Sequence, residues 1–463
     1  MTRSCSVGSA ESRSRKLKLY LKPQAYSLVS MTPLDILPVP VDTAPAERLY
    51  FSAHGEKIAS GSPQLDYDLA IVGGGIIGNT LAVALQNSGL RVVIIESQVE
   101  SVSIAKNRAY AIALLSGQIF EQLGIWDGIL PQVTQFSQIQ ISDADHPGVV
   151  KLHPETLGTT ALGYGVSHQV LLTALQAKLE VAENITSMCP AQVIDVDYGE
   201  DDATISIQLP DTAAPTQIRA SLVIAADGAK SPLRDRAGIA TTGFNYWQSC
   251  ITATIKPEKP HNNVAYERFW YAGPIGVLPL ADGRCQVVWT MPHQQAEELR
   301  DLPVSEFLTE LERCTGGLLG KLELDSQRWL FPVKLMQSDR YIAPRLALIG
   351  DAAHCCHPVA GQGMNLGIRD AVALAEVLIA AHAAGEDIGS KSVLNRYAKW
   401  RKPENWVILA FTDLLDRMFS NQILPIVIIR RIGLFLLDRV PLLKYLALRL
   451  MTGLAGRIPQ VSR

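Results

Sequence analysis

The stretch Tyr67-Asp68-Leu69-Ala70-Ile71-Val72-Gly73-Gly74-Gly75-Ile76-Ile77-Gly78 decides the fold. Tyr67 to Val72 is a short apolar run of strand type, and Gly75 to Ser88 follows with helical periodicity. Gly73 permits a tight turn, Gly75 lets a pyrophosphate approach the backbone, and Gly78 lets helix and strand pack closely. Arg91 to Glu96 reads as a second buried strand ending in an acid. Glu96 lies eighteen residues beyond Gly78, near the spacing of an acid that accepts from ribose hydroxyls. Strand, helix and acid in register predict a Rossmann-like start that holds a dinucleotide. The acid disfavours a 2′-phosphate, which leaves FAD or NAD rather than NADP.

Working outward, Leu346 to Ile349 is a strand that delivers Asp351 to its carboxyl end, in Gly350-Asp351-Ala352-Ala353-His354. The chain then runs through His357-Pro358-Val359-Ala360-Gly361-Gln362-Gly363-Met364-Asn365-Leu366-Gly367, whose Pro and Gly residues bend it into a helix starting near Gln362. A carboxylate, a Gly-rich turn and a helix N-terminus are thereby expected around one anionic, ribose-bearing ligand. Gly361 and Gly363 are expected where a Cβ would strike the ligand or force a strained φ. The plainer alternative is a strand-to-helix turn with Asp351 as a cap. A third strand-turn-helix, Leu222-Val223-Ile224-Ala225-Ala226-Asp227-Gly228-Ala229-Lys230-Ser231-Pro232-Leu233-Arg234, lies between them. Alone, Asp227-Gly228 would be only a turn pair.

These three motifs, in this order, resemble the single-component flavoprotein aromatic hydroxylases. The resemblance implies FAD as resident cofactor, with Asp227-Gly228 touching the flavin and serving the passing nicotinamide. It narrows to the ubiquinone-biosynthesis hydroxylase family through His357-Pro358-x-Ala360-Gly361-Gln362-Gly363-x-Asn365-Leu366-Gly367-x-x-Asp370. Supporting stretches are Ala265-x-Glu267-Arg268-Phe269, Gly273-Pro274, Leu278-Pro279-Leu280, Val288-Trp289, Thr412-Asp413 and Phe419-Ser420-Asn421. The similarity spans roughly Asp66 to Pro459. Beside the fingerprint glycines Gly73, Gly75 and Gly78 and the carboxylates Glu96, Asp227 and Asp351, it implies a flavin shell with Gly228, Pro358, Gly361, Gln362, Gly363, Met364 and Asn365. Arg108 falls where the family keeps an arginine near the flavin. His168 joins that shell at a position where the family more often carries Asn or Arg.

The family likeness implies an FAD-dependent monooxygenase that hydroxylates the ring of a prenylated phenol or quinone precursor in ubiquinone-type quinone biosynthesis. O2 and NAD(P)H, or a separate reductase, would be the co-reactants, and a peroxide adduct of the reduced flavin the oxygen donor. Such chemistry needs positioning and exclusion of water, not a nucleophilic triad or a metal. The backbone of Pro358 to Asn365 is the candidate to lie against the flavin ring. The sequence names no catalytic acid or base. One rival is a flavoprotein epoxidase or reductase acting on an isoprenoid lipid. A rival of another class is a structural subunit of a quinone-biosynthesis complex, against which the intact Glu96, Asp227 and Asp351 speak.

Composition agrees. The 463 residues are 48% hydrophobic and 19% charged, with a net charge of −3, so nucleic acid is not an expected partner. Seven scattered cysteines argue for a reducing compartment rather than a disulfide framework. His354-Cys355-Cys356-His357 crowds soft ligands, but adjacent cysteines rarely chelate one tetrahedral zinc, and no metal site is expected. The expected architecture is α/β: a Rossmann-like FAD-binding domain with an inserted antiparallel β-sheet substrate domain and a C-terminal helical region. Its parts are a disordered extension (1–64), the first FAD-binding part (65–242), the sheet domain (243–335), the second FAD-binding part (336–400) and the C-terminal helices (401–463). The basic, Ser-rich Arg13 to Lys18 leaves organelle targeting open, although a start at Met31 or a disordered tail is the favoured reading and a cytoplasmic location the default. No segment approaches eighteen consecutive apolar residues, so no membrane span is expected. Ile423 to Met451, apolar and edged by Arg430, Arg431, Lys444 and Arg449, reads as helices resting peripherally on a membrane surface with those cations at headgroups. The competing expectation packs the same helices inward.

Overall fold

Tyr67–Val72 is buried over its last four residues and pairs in parallel with Val92–Ile95 on one side and Thr216–Ala225 on the other. Leu346–Leu348 adds in parallel beyond Thr216–Ala225, and Ile185–Met188 beyond Val92–Ile95. These strands are continuous Val, Ile, Leu and Ala runs because both faces are covered. Their core includes side chains of the helices Ile76–Ala84, His168–Leu179 and Gln362–Ala383. A hairpin of Gln192–Tyr198 and Ala203–Gln208 extends antiparallel from Thr216–Ala225. Parallel strands end at one edge, so the turns after Val72, Ile95, Ala225 and Leu348 stand in a row on four neighbouring strands. This computed structural model describes residues 65–99, 108–143, 146, 148–210 and 212–460. The basic stretch at Arg13 and the alternative start at Met31 lie outside them.

A second, nine-stranded sheet follows the alternation expected in the middle of the chain. Thr241–Pro257, Cys285–Pro292, Gly273–Pro279 and Val264–Trp270 are successive antiparallel neighbours, and Trp329–Ser338 flanks Thr241–Pro257. One face carries Ile251, Ile255, Ile275, Val277, Val287 and Trp289, which pack on Ala296, Leu299, Phe307 and Leu311 of the helices His293–Asp301 and Val304–Cys314. The alternate residues form the inner face. The sheet also recruits Gln138–Asp143, parallel to Val264–Trp270, and Val149–Leu152 beyond it. The sequence reading left both in the first FAD-binding part, since such short strands carry little periodicity of their own.

The C-terminal helices are Lys391–Phe419, Leu424–Arg439 and Pro441–Met451. Here the structure corrects one expectation. Arg430 is not at a surface for headgroups: it is 7% exposed and paired with the buried Asp143 at 2.9 Å. Arg431 reaches the same carboxylate at 3.2 Å, and Lys444 pairs with Asp438 at 3.0 Å. Arg449 donates to the Leu454 carbonyl. The cations turn toward protein because Asp143 and the free carbonyls at the end of Lys391–Phe419 outcompete water. The apolar side chains turn outward instead: Leu424, Ile429, Phe435, Leu442 and Leu446 are all more than half exposed. Among the described residues no single helix is long and apolar enough to cross a membrane.

Candidate functional site

The Gly-rich fingerprint is shaped by contacts that admit no side chain. Gly73 has φ +112°, and a Cβ there would lie 2.3 Å from the Ala226 carbonyl oxygen. At Gly78 a Cβ would lie 2.0 Å from the Gly73 carbonyl oxygen, which is the close helix–strand approach that the spacing predicted. Gly75 faces open space at the start of Ile76–Ala84, a helix with no side-chain cap, so its first-turn N–H groups are available to an anion. Glu96 accepts from the Gly74 N–H at 2.7 Å and the Gln98 N–H at 2.7 Å. The acid thus braces the Gly-rich loop from the end of Val92–Ile95.

One strand over, Gly228 has φ +83° with open space beside it. Asp227 accepts from the Leu233 N–H through Oδ2, while its buried Oδ1 has no partner. Burial pushes its carboxyl up, against the opposing hydrogen bond from Ser231. Arg234 donates to the Ala352 carbonyl at 3.2 Å and so ties this motif to the Gly350-Asp351 turn. Asp351 is exposed on the Gly350–Ala352 turn. Desolvation by the surrounding protein pushes its carboxyl up, with His354 and Arg108 pulling the other way. Arg108 stands 5.6 Å over the Phe331 ring and acts electrostatically on both Tyr110 and Asp351. His168 joins this group through a 3.0 Å contact of Nδ1 with the Tyr110 hydroxyl, and its N–H donates to the Arg108 carbonyl.

The second Gly-rich turn is held from behind. Ala360 and Gly361 both have φ +59°, and a Cβ on Gly361 would lie 2.9 Å from the Ala111 Cβ. Gly363 sits in helical backbone, where a Cβ would meet only Cys356 Sγ at 3.8 Å. Asn365 spends its whole amide on protein: Oδ1 accepts from the Ala113 N–H, and Nδ2 donates to the Ala111 and Gly361 carbonyls at 2.8 and 2.9 Å. Its side chain latches the turn to Ala111 and Ala113. Gln362 Nε2 donates to the Ala360 and Met451 carbonyls, while its buried Oε1 lacks a partner. Met364 is half-buried against the FAD-binding core, and Pro358 opens the turn in helical backbone. Gln362–Ala383 has no side-chain cap, so it too offers first-turn N–H groups.

Two networks behind this turn escaped the sequence reading. Asp370, wholly buried, accepts from His354 Nε2 at 2.5 Å, Arg401 Nε at 2.9 Å and Asn405 Nδ2 at 2.9 Å, and faces the Gly350 N–H at 3.3 Å. His357 accepts from the Val359 N–H at Nδ1, which leaves Nε2 to donate to Gln248 Oε1 at 3.1 Å. Burial holds that imidazole neutral, at about 4, despite Asp416 and Asp413 nearby. His354 and His357 therefore diverge into separate networks. Only Asp370 had a signal, its place in the quoted motif. Gln248 and Asp416 are more than a hundred residues from one another and carry none.

The arrangement fits FAD. Two uncapped helix N-termini, the braced acid after Val92–Ile95, and the unpartnered Asp227 Oδ1 and Gln362 Oε1 are polar groups left for a dinucleotide. An open cleft of about 890 Å³ between His168–Leu179 and the Ala281–Gly283 turn carries none of these features. We expect Glu96→Ala and Asp351→Ala each to weaken FAD binding by about 1–3 kcal/mol, as unpaired polar partners do. Flavin titration of the apoprotein measures this, and wild-type affinity in both variants would remove these carboxylates from the site.

Comparison with known proteins gives the same assignment. The FAD binding domain family model matches residues 66–412. The chain is 49% identical over 405 residues to an uncharacterised protein of Synechocystis, covering 88% of this chain and 97% of that one. It is 36% identical over 408 residues to the ubiquinone hydroxylase UbiL of Rhodospirillum rubrum, covering 87% and 94%. Its fold is that of p-nitrophenol 4-monooxygenase PnpA from Pseudomonas putida, with a TM-score of 0.72 at 21% identity over 84% of this chain and 98% of that one.

Proposed function

Since the chain belongs to the ubiquinone-biosynthesis hydroxylase family of FAD-dependent monooxygenases, we propose that it hydroxylates the aromatic ring of a prenylated phenol in ubiquinone-type quinone biosynthesis. The observation that carries this reading is the meeting of two surfaces. The Val359–Gly361 turn packs against the strand Gly273–Pro279 of the large sheet, and the Ala360 N–H acts on Glu267 from that side. A flat ring held between turn and sheet would lie beside the cofactor and away from bulk water.

FAD, once reduced, supplies the activation of O2. The chain's own residues do the rest. The two uncapped helices would hold the phosphates and so orient the ring, and Asn365 and Gln362 keep the turn in one conformation. Cys250, Val333, Phe331 and Leu335 form an apolar wall that excludes water from the reacting centre. The experiment is turnover under labelled O2. NAD(P)H or reductase electrons consumed only with a prenylated phenol, and one labelled oxygen in the ring, support the reading. An epoxide on the prenyl tail, or a reduced product without oxygen, replaces it with the isoprenoid alternative.

We also propose that the C-terminal helices rest on a bilayer from which the tail is drawn. The outward side chains of Leu424, Ile429, Phe435, Leu442 and Leu446 support this, together with the inward arginines. Large apolar side chains exposed along two successive helices are matched by a lipid surface. With the cations engaged, binding should depend on insertion and little on salt. We expect Phe435→Asp with Leu442→Asp to abolish co-sedimentation with liposomes while flavin content stays unchanged. Liposome binding that high salt removes, or that survives both changes, would return the contact to headgroup electrostatics.

A further inference from the structure

The inner face of the large sheet carries a carboxylate, Glu267, to which the cofactor site gives no role. Residues opposite one another in register share a face. One such row runs Glu267, Gly276, Val288, Thr252 across Val264–Trp270, Gly273–Pro279, Cys285–Pro292 and Thr241–Pro257. The opposite face is sealed by helices, as described above, so this row fronts the Gly-rich turn. Glu267 is enclosed by protein and yet keeps accessible surface. Gly276, its direct neighbour, carries no side chain over the carboxylate, and a Cβ there would stand 3.6 Å from Oε2. Thr252 is 8% exposed, and its buried hydroxyl has no partner. An enclosed carboxylate and an unpartnered hydroxyl on one face are costly unless a ligand supplies their partners. The Ala360 N–H is near enough to oppose the rise of the Glu267 carboxyl, which puts Glu267 beside the turn that a flavin ring would lie on.

We infer that Glu267 is the general base that takes the phenolic proton of the substrate. This rests on the hydroxylase reading above. The phenol O–H breaks, its proton passes to the Glu267 carboxylate, and the electron pair stays on oxygen and enriches the ring carbons ortho and para to it. One of those carbons forms the new C–O bond with an atom derived from O2. The second oxygen atom leaves as water, reduced by the two electrons of NAD(P)H or the reductase. The attacked carbon then loses its hydrogen as a proton, and Glu267 returns the first proton to the phenolate oxygen.

Burial pushes the Glu267 carboxyl up to about 7, with the Ala360 N–H opposing, so it exchanges its proton near neutrality, where a base is most effective. The Cys250 thiol lies on the same face of Thr241–Pro257 as Thr252, two residues along. Burial pushes that thiol up, and it senses both Glu267 and Arg108. Arg108 reaches in over Phe331 from the start of Ala109–Ala113. Arg268, next in sequence, lies toward the sealed face against Trp270.

The test uses the FAD-loaded full chain and 2-geranylphenol as probe. Wild type should bind the probe with a phenolate difference spectrum, and kcat should rise with pH through a limb at about 7. Glu267→Gln should keep wild-type FAD affinity and still bind the probe, but without the phenolate signature, and should lose about a hundredfold or more in kcat together with that limb. Glu267→Asp should restore part of both. Gly276→Ala, which protein packing tolerates, should raise KM for the probe with FAD binding unchanged, and so tests the space even if Glu267→Gln folds poorly. Wild-type turnover and pH profile in Glu267→Gln, or a phenolate spectrum retained in it, would overturn the assignment while leaving the hydroxylase reading intact. A wild type that neither binds nor oxygenates any prenylated phenol would remove both.

Discussion

Arg430→Glu should cost about 3–5 kcal/mol of stability, most of what a typical domain has. Arg430 sets Nη2 and Nε at 2.9 and 3.1 Å from the Asp143 oxygens, inside a region where Asp143 is 3% exposed. Its Nη1 donates to the Asn421 carbonyl at 2.8 Å and faces those of Phe419 and Met418 at 3.3 Å. One side chain therefore closes the C-terminal end of Lys391–Phe419, whose last carbonyls have no helical donor, and docks Leu424–Arg439 on the strand Gln138–Asp143. Charge reversal sets two carboxylates together out of water and strips those carbonyls at once. Arg431→Glu should be milder, because Arg431 is 40% exposed and makes one bond to the same acid. Denaturant midpoints of the two single variants check the order. Arg430→Met with Asp143→Asn should recover much of the loss, since an unpaired buried charge is worse than none. A wild-type midpoint for Arg430→Glu would mean that these helices do not dock as described.

The two arginines also show where a sequence stops being legible. Apolar runs edged by cations describe a membrane-facing helix equally well whether the cations point to headgroups or to a buried acid. Asp143 lies 287 residues away and gives no local sign of its role. The cofactor motifs were readable for the opposite reason. Each is a strand, a turn and a helix within about twenty residues, and parallel pairing aligns their carboxyl ends without further information. Glycine requirements at Gly73, Gly78 and Gly361 follow from backbone approach and left-handed φ, which a short motif records. Asn365 and Gln362 were found in the motif, but their acceptors at Ala111, Ala113 and Met451 were not, so their work as latches was invisible. Glu267 had a faint signal. Strand alternation in Ala265-x-Glu267-Arg268-Phe269 puts it on the face opposite Arg268, but which face meets the flavin turn is a property of the fold.

Asp370→Ala should be nearly as damaging, and pH distinguishes its cause. Asp370 joins three parts of the molecule: it lies on Gln362–Ala383, takes Arg401 and Asn405 from Lys391–Phe419, and holds His354 and the Gly350 N–H of the turn that presents Asp351. Burial would push its carboxyl up, but the charges of His354 and Arg401 and the hydrogen bonds of His354 and Asn405 win and hold it at about 2. Truncation leaves the wholly buried Arg401 with Glu404 and Asn405 alone, a loss of about 3–5 kcal/mol for a broken buried pair. The folded carboxyl lies below its unfolded value of 3.8, so its contribution is complete above that pH and is lost as pH falls through about 2. The gap in unfolding free energy between wild type and Asp370→Ala should therefore be full at neutral pH and shrink in acid. FAD affinity should fall in parallel, because Gly350 and Asp351 lose the anchor behind their turn. Denaturant titrations across the acid range, with flavin binding measured at neutral pH, check both. A gap that stays constant into acid would show that Asp370 is not held as the anion, and unchanged flavin affinity would separate this network from the cofactor turn.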